Sequence, residues 1–359
     1  MSPVTPKAFF SLALYLIAVA TPAADVSADT VRERIRERIQ ERHQQRNGAA
    51  TDATDDLGDG GKDSSCADWA RKTGRLEKLA GNRKAGPVPD FEGIAYGPEA
   101  LAKLDVFLPK AAENEPAPII VMVHGGGWCI GDKSNVGVTA NKVARWVPRG
   151  FVFVSVNYPM VNDGANTTQQ ASHVARAVAF IQANAGKWGG DPARLILMGH
   201  SAGAHLVSLV SADARLRKAN TLRPVLGTIS LDAGALDVVR QMPNVYPFLR
   251  TRYREAFGST EAEWIAASPF HQLDRTASAW LGVCSIARRD DSCGQARAYA
   301  EKSKSLGLRA AVLSEPLGHG AINKELGLPG RYTDDVEAFM ASLDPLVGKL
   351  LSGNSVSLQ

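Results

Sequence analysis

From about residue 104 to 345 the chain alternates short, almost purely apolar runs with longer segments of helical character. The strand-like runs include Ile119–Val123, Arg194–Met198, Gly227–Leu231, Trp280–Cys284 and Ala310–Leu313. Runs this short and this apolar fit strands buried on both faces. Between them, segments such as Ala202–Ala214, rich in Ala, Leu and Val, read as packed helices. Repetition of strand and helix predicts an α/β domain: a mostly parallel sheet covered by helices on both faces. Sites in such sheets form just beyond the carboxyl ends of the strands. The pattern leaves one longer excursion, residues 233–275, which carries Tyr246, Phe248, Tyr253, Phe257 and Trp264. These aromatics build either a small cap or pocket wall, or a locally packed helix pair. No large lid is evident.

Upstream the pattern changes. Lys7 precedes an apolar stretch, Ala8–Ala20, too short to span a bilayer comfortably. It ends in Ala18-Val19-Ala20, a small-residue cleavage pattern, so residues 1–24 read as a secretory signal peptide. An uncleaved anchor is the alternative. Residues 31–46 then hold six Arg and three Glu, 6 − 3 = +3, with isoleucine only at 35 and 39. That is a solvated helix held by local ion pairs, or a contact surface for an envelope or partner. From Asn47 to Ser65 the chain is Gly-, Asp-, Thr- and Ser-rich, which predicts a disordered linker. Residues 25–65 are therefore a charged arm and linker, and the ordered domain is expected over 66–359, as one unit.

The formal net charge of +4 is small and sits partly in the arm, so nucleic-acid binding is not indicated. No His, Cys and Asp spacing resembles a metal site, and no glycine loop suits a dinucleotide, so no cofactor is expected. The four cysteines allow three pairings. Export makes disulfides chemically permissible. Cys284 and Cys293 flank one loop and are expected to clamp it, which leaves Cys66 to reach Cys129.

The candidate chemistry lies at strand ends. Gly199-His200-Ser201-Ala202-Gly203 sits between a strand-like run and a helix-like run. A sharp turn there exposes the serine hydroxyl on strained backbone, as a nucleophile requires. His124-Gly125-Gly126-Gly127-Trp128 directly follows Ile119–Val123 and offers backbone N–H groups to an oxyanion. A serine hydroxyl needs a base. His319, in Leu317-Gly318-His319-Gly320, is the one of seven histidines placed in a glycine-flanked loop after the last strand. His124 is expected to brace the glycine loop, His173 and His205 to be structural, and His200 to be the variable residue of the turn. The acid follows Trp280–Cys284 in Arg288-Arg289-Asp290-Asp291, with Asp290 preferred over Asp291. Asp232 and Asp237, one strand earlier, are outside candidates.

Taken together these segments resemble the α/β-hydrolase family, in the HGGGW branch with hormone-sensitive-lipase-like esterases, feruloyl-esterase-like proteins and kynurenine formamidases. The resemblance covers roughly Lys103 to Leu346 and includes Leu104-Asp105-Val106-Phe107-Leu108-Pro109 as a lead-in strand, Val156-Asn157-Tyr158 after the third strong strand, and Gly189-Gly190-Asp191-Pro192-Ala193-Arg194 before the serine turn. It implies a triad of Ser201, Asp290 and His319, with oxyanion donors at the N–H groups of Gly126, Gly127 and Ala202. At the acid the chain departs from the family, since many relatives carry a His-Gly-x-x-Asp turn where this one has Cys284-Ser285-Ile286-Ala287-Arg288-Arg289-Asp290. The implied function is a serine hydrolase that cleaves small or medium carboxylic esters through an acyl-enzyme. The alternatives are amide or formamide hydrolysis on the same triad, and a catalytically silent binding module. The expected partner is a small-molecule ester, and the expected location is periplasmic or secreted.

Overall fold

In the computed structural model the described residues are 63–79, 86–110 and 115–352. The expected signal peptide, the charged arm and most of the linker lie outside them. Eight strands form one sheet: β1 (Phe91–Ala95), β2 (Lys103–Phe107), β3 (Ala117–Val123), β4 (Val152–Val156), β5 (Gly190–His200), β6 (Gly227–Leu231), β7 (Ala279–Ser285) and β8 (Ala310–Glu315). Their order is β1-β2-β4-β3-β5-β6-β7-β8. β2 runs antiparallel to both neighbours, and every pairing from β4 through β8 is parallel. The solvent-facing edge strand β1 lacks a continuous apolar run and was not among the expected strands.

The period of two along each strand divides the core. Ile119, Val121 and Val123 of β3 face one helical layer with Val152, Val154 and Val156. That layer is α3 (Thr167–Asn184) and α4 (Ala202–Ala212). Ile120 and Met122 face the other way, with Phe153, Ile196, Met198 and Ile229. They meet α2 (Val136–Trp146), α8 (His319–Glu325), α9 (Arg331–Ala341) and α10 (Pro345–Ser352). A third cluster joins Trp280 of β7 to Tyr299 of α7 (Ser292–Ser305). Every residue of α4 is buried, which explains its apolar character on all sides.

The 233–275 excursion folds into short helices, including α5 (Arg250–Phe257) and α6 (Glu261–Ala267). It is compact, in keeping with at most a small cap. At the front of the domain α1 (Cys66–Leu79) is fastened to the loop after β3 by a Cys66–Cys129 disulfide, and Cys284–Cys293 joins β7 to α7. Both expected cysteine pairings are thus present. Among the described residues no helix is long and apolar enough to cross a membrane.

Candidate active site

Ser201 sits between the last residue of β5 and the first of α4, with φ 55° and ψ −116°. A side chain in that region is strained and persists only where its surroundings enforce it. The enforcement is visible at the flanking glycines. A β-carbon at Gly199 would collide with the Gly203 carbonyl, and one at Gly203 with the carbonyls of Val123 and His124. Helix and strands approach too closely for anything but glycine, and the serine is pushed outward at the apex.

Ser201 Oγ lies 2.9 Å from His319 Nε2, the distance of a hydroxyl donating to an imidazole nitrogen. On the other side of the ring His319 Nδ1 lies 2.6 Å from Asp232 Oδ2. A carboxylate accepts only, so Nδ1 carries the proton and Nε2 is left as the acceptor. The three side chains form a continuous relay from a serine hydroxyl to a fully buried carboxylate.

The acid is therefore corrected. Asp290 does not face His319 but forms a two-pronged pair with Arg288, Nε to Oδ1 at 2.9 Å and Nη2 to Oδ2. Asp291 caps α7, accepting from Gly294 N at 3.1 Å, and pairs with Arg240 at 2.7 Å. Asp237 caps the short helix Val238–Gln241. The physical reason lies in the sheet register. His200 of β5 pairs with Leu231 of β6, so the residues that follow, Ser201 and Asp232, leave the sheet side by side. Ser201 N donates to Leu231 O and Asp232 N to Val283 O, at 2.9 and 2.8 Å. Asp232 shares with Ser201 a left-handed backbone, φ 55°. One signal in the sequence marks it: an aspartate directly after a buried strand, followed by Ala233-Gly234.

Burial opposes the ionisation of Asp232. Arg288 beside it, the His319 hydrogen bond and the Ser285 N–H outweigh that cost and hold its carboxyl well below the usual range. His200, the variable residue of the turn, donates from Nε2 to the His319 carbonyl at 2.9 Å and so anchors the loop that carries His319. Burial, reinforced by the nearby His319, keeps the His200 imidazole neutral by holding it well below its ordinary value.

The glycine loop crosses directly over the serine turn. A β-carbon at Gly125 would lie 2.9 Å from Ser201 Cβ. Gly126 O accepts from Cys129 N and Ile130 N, at 3.0 and 3.1 Å, which curls the loop. Ala202 is the first residue of α4, where helix amides lack intrahelical acceptors. His124 braces the loop from beneath. Its ring stacks on Tyr158 at 4.6 Å, its Nδ1 donates to Gly125 O, and the Tyr158 hydroxyl donates to His124 O. Trp128 Nε1 donates to His205 Nδ1 at 3.2 Å, and His205 Nε2 donates to Ala267 O. Burial pushes His205 down to about 4, so it is a neutral link between the loop and α6. Tyr253 and Phe257 of α5 pack their rings on Trp128. Two aromatics of the excursion thus support the loop, while Tyr246 and Phe248 stack on each other nearer the surface. Among the described residues no group of three or more His, Cys, Asp or Glu is placed to hold a metal ion.

The BD-FAE family model matches residues 104–276. Esterase LipC of Mycobacterium tuberculosis is 30% identical over 140 residues, 39% of this chain and 34% of that protein. A kynurenine formamidase of Danio rerio is 27% identical over 223 residues, 61% of this chain and 70% of that protein. A probable isoprenylcysteine alpha-carbonyl methylesterase of Oryza sativa subsp. japonica is 30% identical over 118 residues, 33% of this chain. The chain spans about a quarter of the length of such methylesterases, 27% for the rice protein. Esterase B from Lactobacillus rhamnosis superposes with a TM-score of 0.61 at 16% identity, over 79% of this chain and 94% of its own. A truncated carbohydrate esterase from gut microbiota gives 0.59 at 19% identity, over 72% and 99%. The parallel sheet, the glycine loop and serine turn at its strand ends, and the superpositions give the chain the α/β-hydrolase fold, and its residues 104–276 match the BD-FAE family model.

Proposed function

We propose that the chain is a serine esterase that hydrolyses small or medium carboxylic esters through an acyl-enzyme. The observation that carries this is the unbroken relay Ser201–His319–Asp232 beneath the glycine loop. Ser201 Oγ attacks the ester carbonyl carbon while His319 Nε2 takes its proton. Asp232 stabilises the imidazolium that forms and fixes its tautomer. The amides of Gly126, Gly127 and Ala202 hold the oxyanion. His319 then protonates the leaving alcohol, and the acyl-enzyme is hydrolysed by a water that the same base activates. The esterase names among the relatives support ester over formamide hydrolysis. The compact excursion supports short acyl chains.

The two disulfides support an oxidising compartment, and with it the reading of residues 1–24 as an export signal and a periplasmic or secreted protein. The arm at 31–46 is a candidate contact with the envelope.

The test is labelling of the full chain with a fluorophosphonate, with turnover of p-nitrophenyl esters of increasing chain length and a formanilide in parallel. The expected result is an adduct on Ser201 and fastest turnover of acetate to hexanoate esters. Ser201→Ala should lower kcat by on the order of 10⁶. A folded protein with neither adduct nor turnover would make the silent binding module the better reading.

A further inference from the structure

Arg288 is buried against the catalytic relay, and ester hydrolysis as proposed above does not by itself call for a cation there. Its Nη1 donates to the Asp232 carbonyl at 2.8 Å and to Asp232 Oδ2 at 3.1 Å. That is the carboxylate oxygen which also accepts from His319. The same Nη1 lies 3.2 Å from His319 Nδ1. Because Nδ1 is protonated toward Asp232, this approach is donor against donor and not a hydrogen bond. The other edge of the guanidinium is gripped by Asp290 through Nε and Nη2, which fixes its plane. Burial disfavours the charge on Arg288, but Asp232 and Asp290 together more than compensate, so it stays a cation.

We propose that Arg288 is a positioning residue for Asp232 and His319 whose fixed charge, set in place by Asp290, opposes formation of the His319 imidazolium and carries activity to lower pH. The inference rests on the serine-esterase reading. When His319 is protonated, two cations stand 3.2 Å apart at Nδ1 and Nη1. A like charge at that range disfavours protonation. The other groups around the ring set the background. From β5, His200 is neutral, its ring 4.6 Å from His319. From α2, Lys142 lies behind His200. From β6 comes Asp232, and from the loop after β7 come Arg288 and Asp290. From α5, the Tyr253 phenol is pushed up to about 12 and is uncharged. From α9, the Tyr332 phenol is also pushed up and donates to Ile322 O. Arg288 thus counters Asp232 at the ring, and Asp290 moderates it.

The experiment is the pH profile of kcat/KM for p-nitrophenyl acetate, read by pH-stat, in the full chain and in Arg288→Met, Arg288→Lys and Asp290→Asn. Arg288→Met removes the cation and leaves Asp290 bare, so the acid limb should move up by about one pH unit. Asp290→Asn leaves the cation uncompensated, so the limb should move down. Arg288→Lys keeps the charge without the two-pronged grip and should restore the limb toward the unsubstituted position, even where kcat falls. A uniform loss of kcat/KM with an unmoved limb in all three, or a shift of the same sign in Arg288→Met and Asp290→Asn, overturns the proposal. If the unsubstituted chain itself shows neither turnover nor fluorophosphonate adduct, the esterase reading fails and takes this one with it. Turnover with immobile limbs refutes Arg288 alone.

Discussion

Ser201 and Asp232 are both non-glycine residues in left-handed backbone, and both follow directly on buried parallel strands. The strain at each is imposed by the same cause, neighbouring strands whose ends lie in register. At this scale the decisive test compares two aspartates. Asp232→Asn should lower kcat on the order of 10³- to 10⁴-fold, because an amide no longer enforces the Nδ1–H tautomer. Asp290→Asn should stay within about tenfold at its pH plateau, since Asp290 touches Arg288 and not the ring. Steady-state kcat for the two variants checks this, and a larger loss at Asp290 would reinstate it as the acid. The pairing of Ser201 with His319 was legible from sequence because both are marked locally, by glycines that a tight turn or a close approach demands. The acid was not. Any aspartate between Ser201 and His319 satisfies the chain order, and the choice among Asp232, Asp237, Asp290 and Asp291 is made by strand register and by the partner of Arg288. Neither is a local property. The role of His200 was missed for the same reason, since its partner is a backbone carbonyl 119 residues away.

Among the elements, the inner strands were plain because burial on both faces makes them continuously apolar, whereas the edge strand β1 carries mixed exposure and no such run. The helices of the 233–275 excursion are short and interrupted. Pro243, Pro247 and Pro269 each stand at the start of a new turn, which leaves no long helical period to read. Its buried aromatics take the packing role of the two expected. Tyr253 and Phe257 pack within a helix and also buttress the glycine loop through Trp128. α1 also buttresses that loop, packed beside α5. Cys66 is bonded to Cys129, and Cys66 N donates to Glu255 of α5 at 2.7 Å. A β-carbon at Gly127 would lie 2.7 Å from the Trp69 ring, over which Arg252 sits at 4.7 Å. The Cys66–Cys129 bond spans 63 residues and Cys284–Cys293 only 9. Chain entropy assigns the longer closure about 4 kcal/mol and the shorter about 3. Urea unfolding of Cys66→Ala/Cys129→Ala should show the larger loss. The same variant should also lose kcat, as the loop bearing Gly126 and Gly127 loosens. If it unfolds like the parent and turns over at the same rate, α1 is not a support of the site.

At the scale of the whole molecule, the sheet separates two helical layers, and a lysine lies buried inside the layer formed by α2 and α8 to α10. Lys142 of α2 is buried, and its Nζ donates to Asn323 Oδ1 at 3.0 Å, to the Asn323 carbonyl and to Gly137 O at 3.3 Å. These are neutral acceptors, and burial pushes Lys142 down to about 7. The consequence for stability follows from linkage. In the unfolded chain lysine titrates at about 10.4. Between about 7 and 10.4 the unfolded state therefore binds more protons than the folded one, and stability rises with pH across that window. Below it the ammonium is charged in both states and the full cost of burying it is present. Lys142 alone should add roughly 2–3 kcal/mol of stability between about pH 7 and pH 9.5. Lys142→Met abolishes this gain. It also strips the Asn323 carbonyl of a donor, so its absolute stability is the wrong quantity to compare. The informative one is the difference in slope between the variant and its parent, from urea unfolding at several pH values. A parent whose stability climbs no faster than that of Lys142→Met would mean that the lysine keeps its charge in the fold. α8 begins at His319, so the same bond ties this layer to the segment that carries His319. Loosening it should show first as a fall in kcat at unchanged fold.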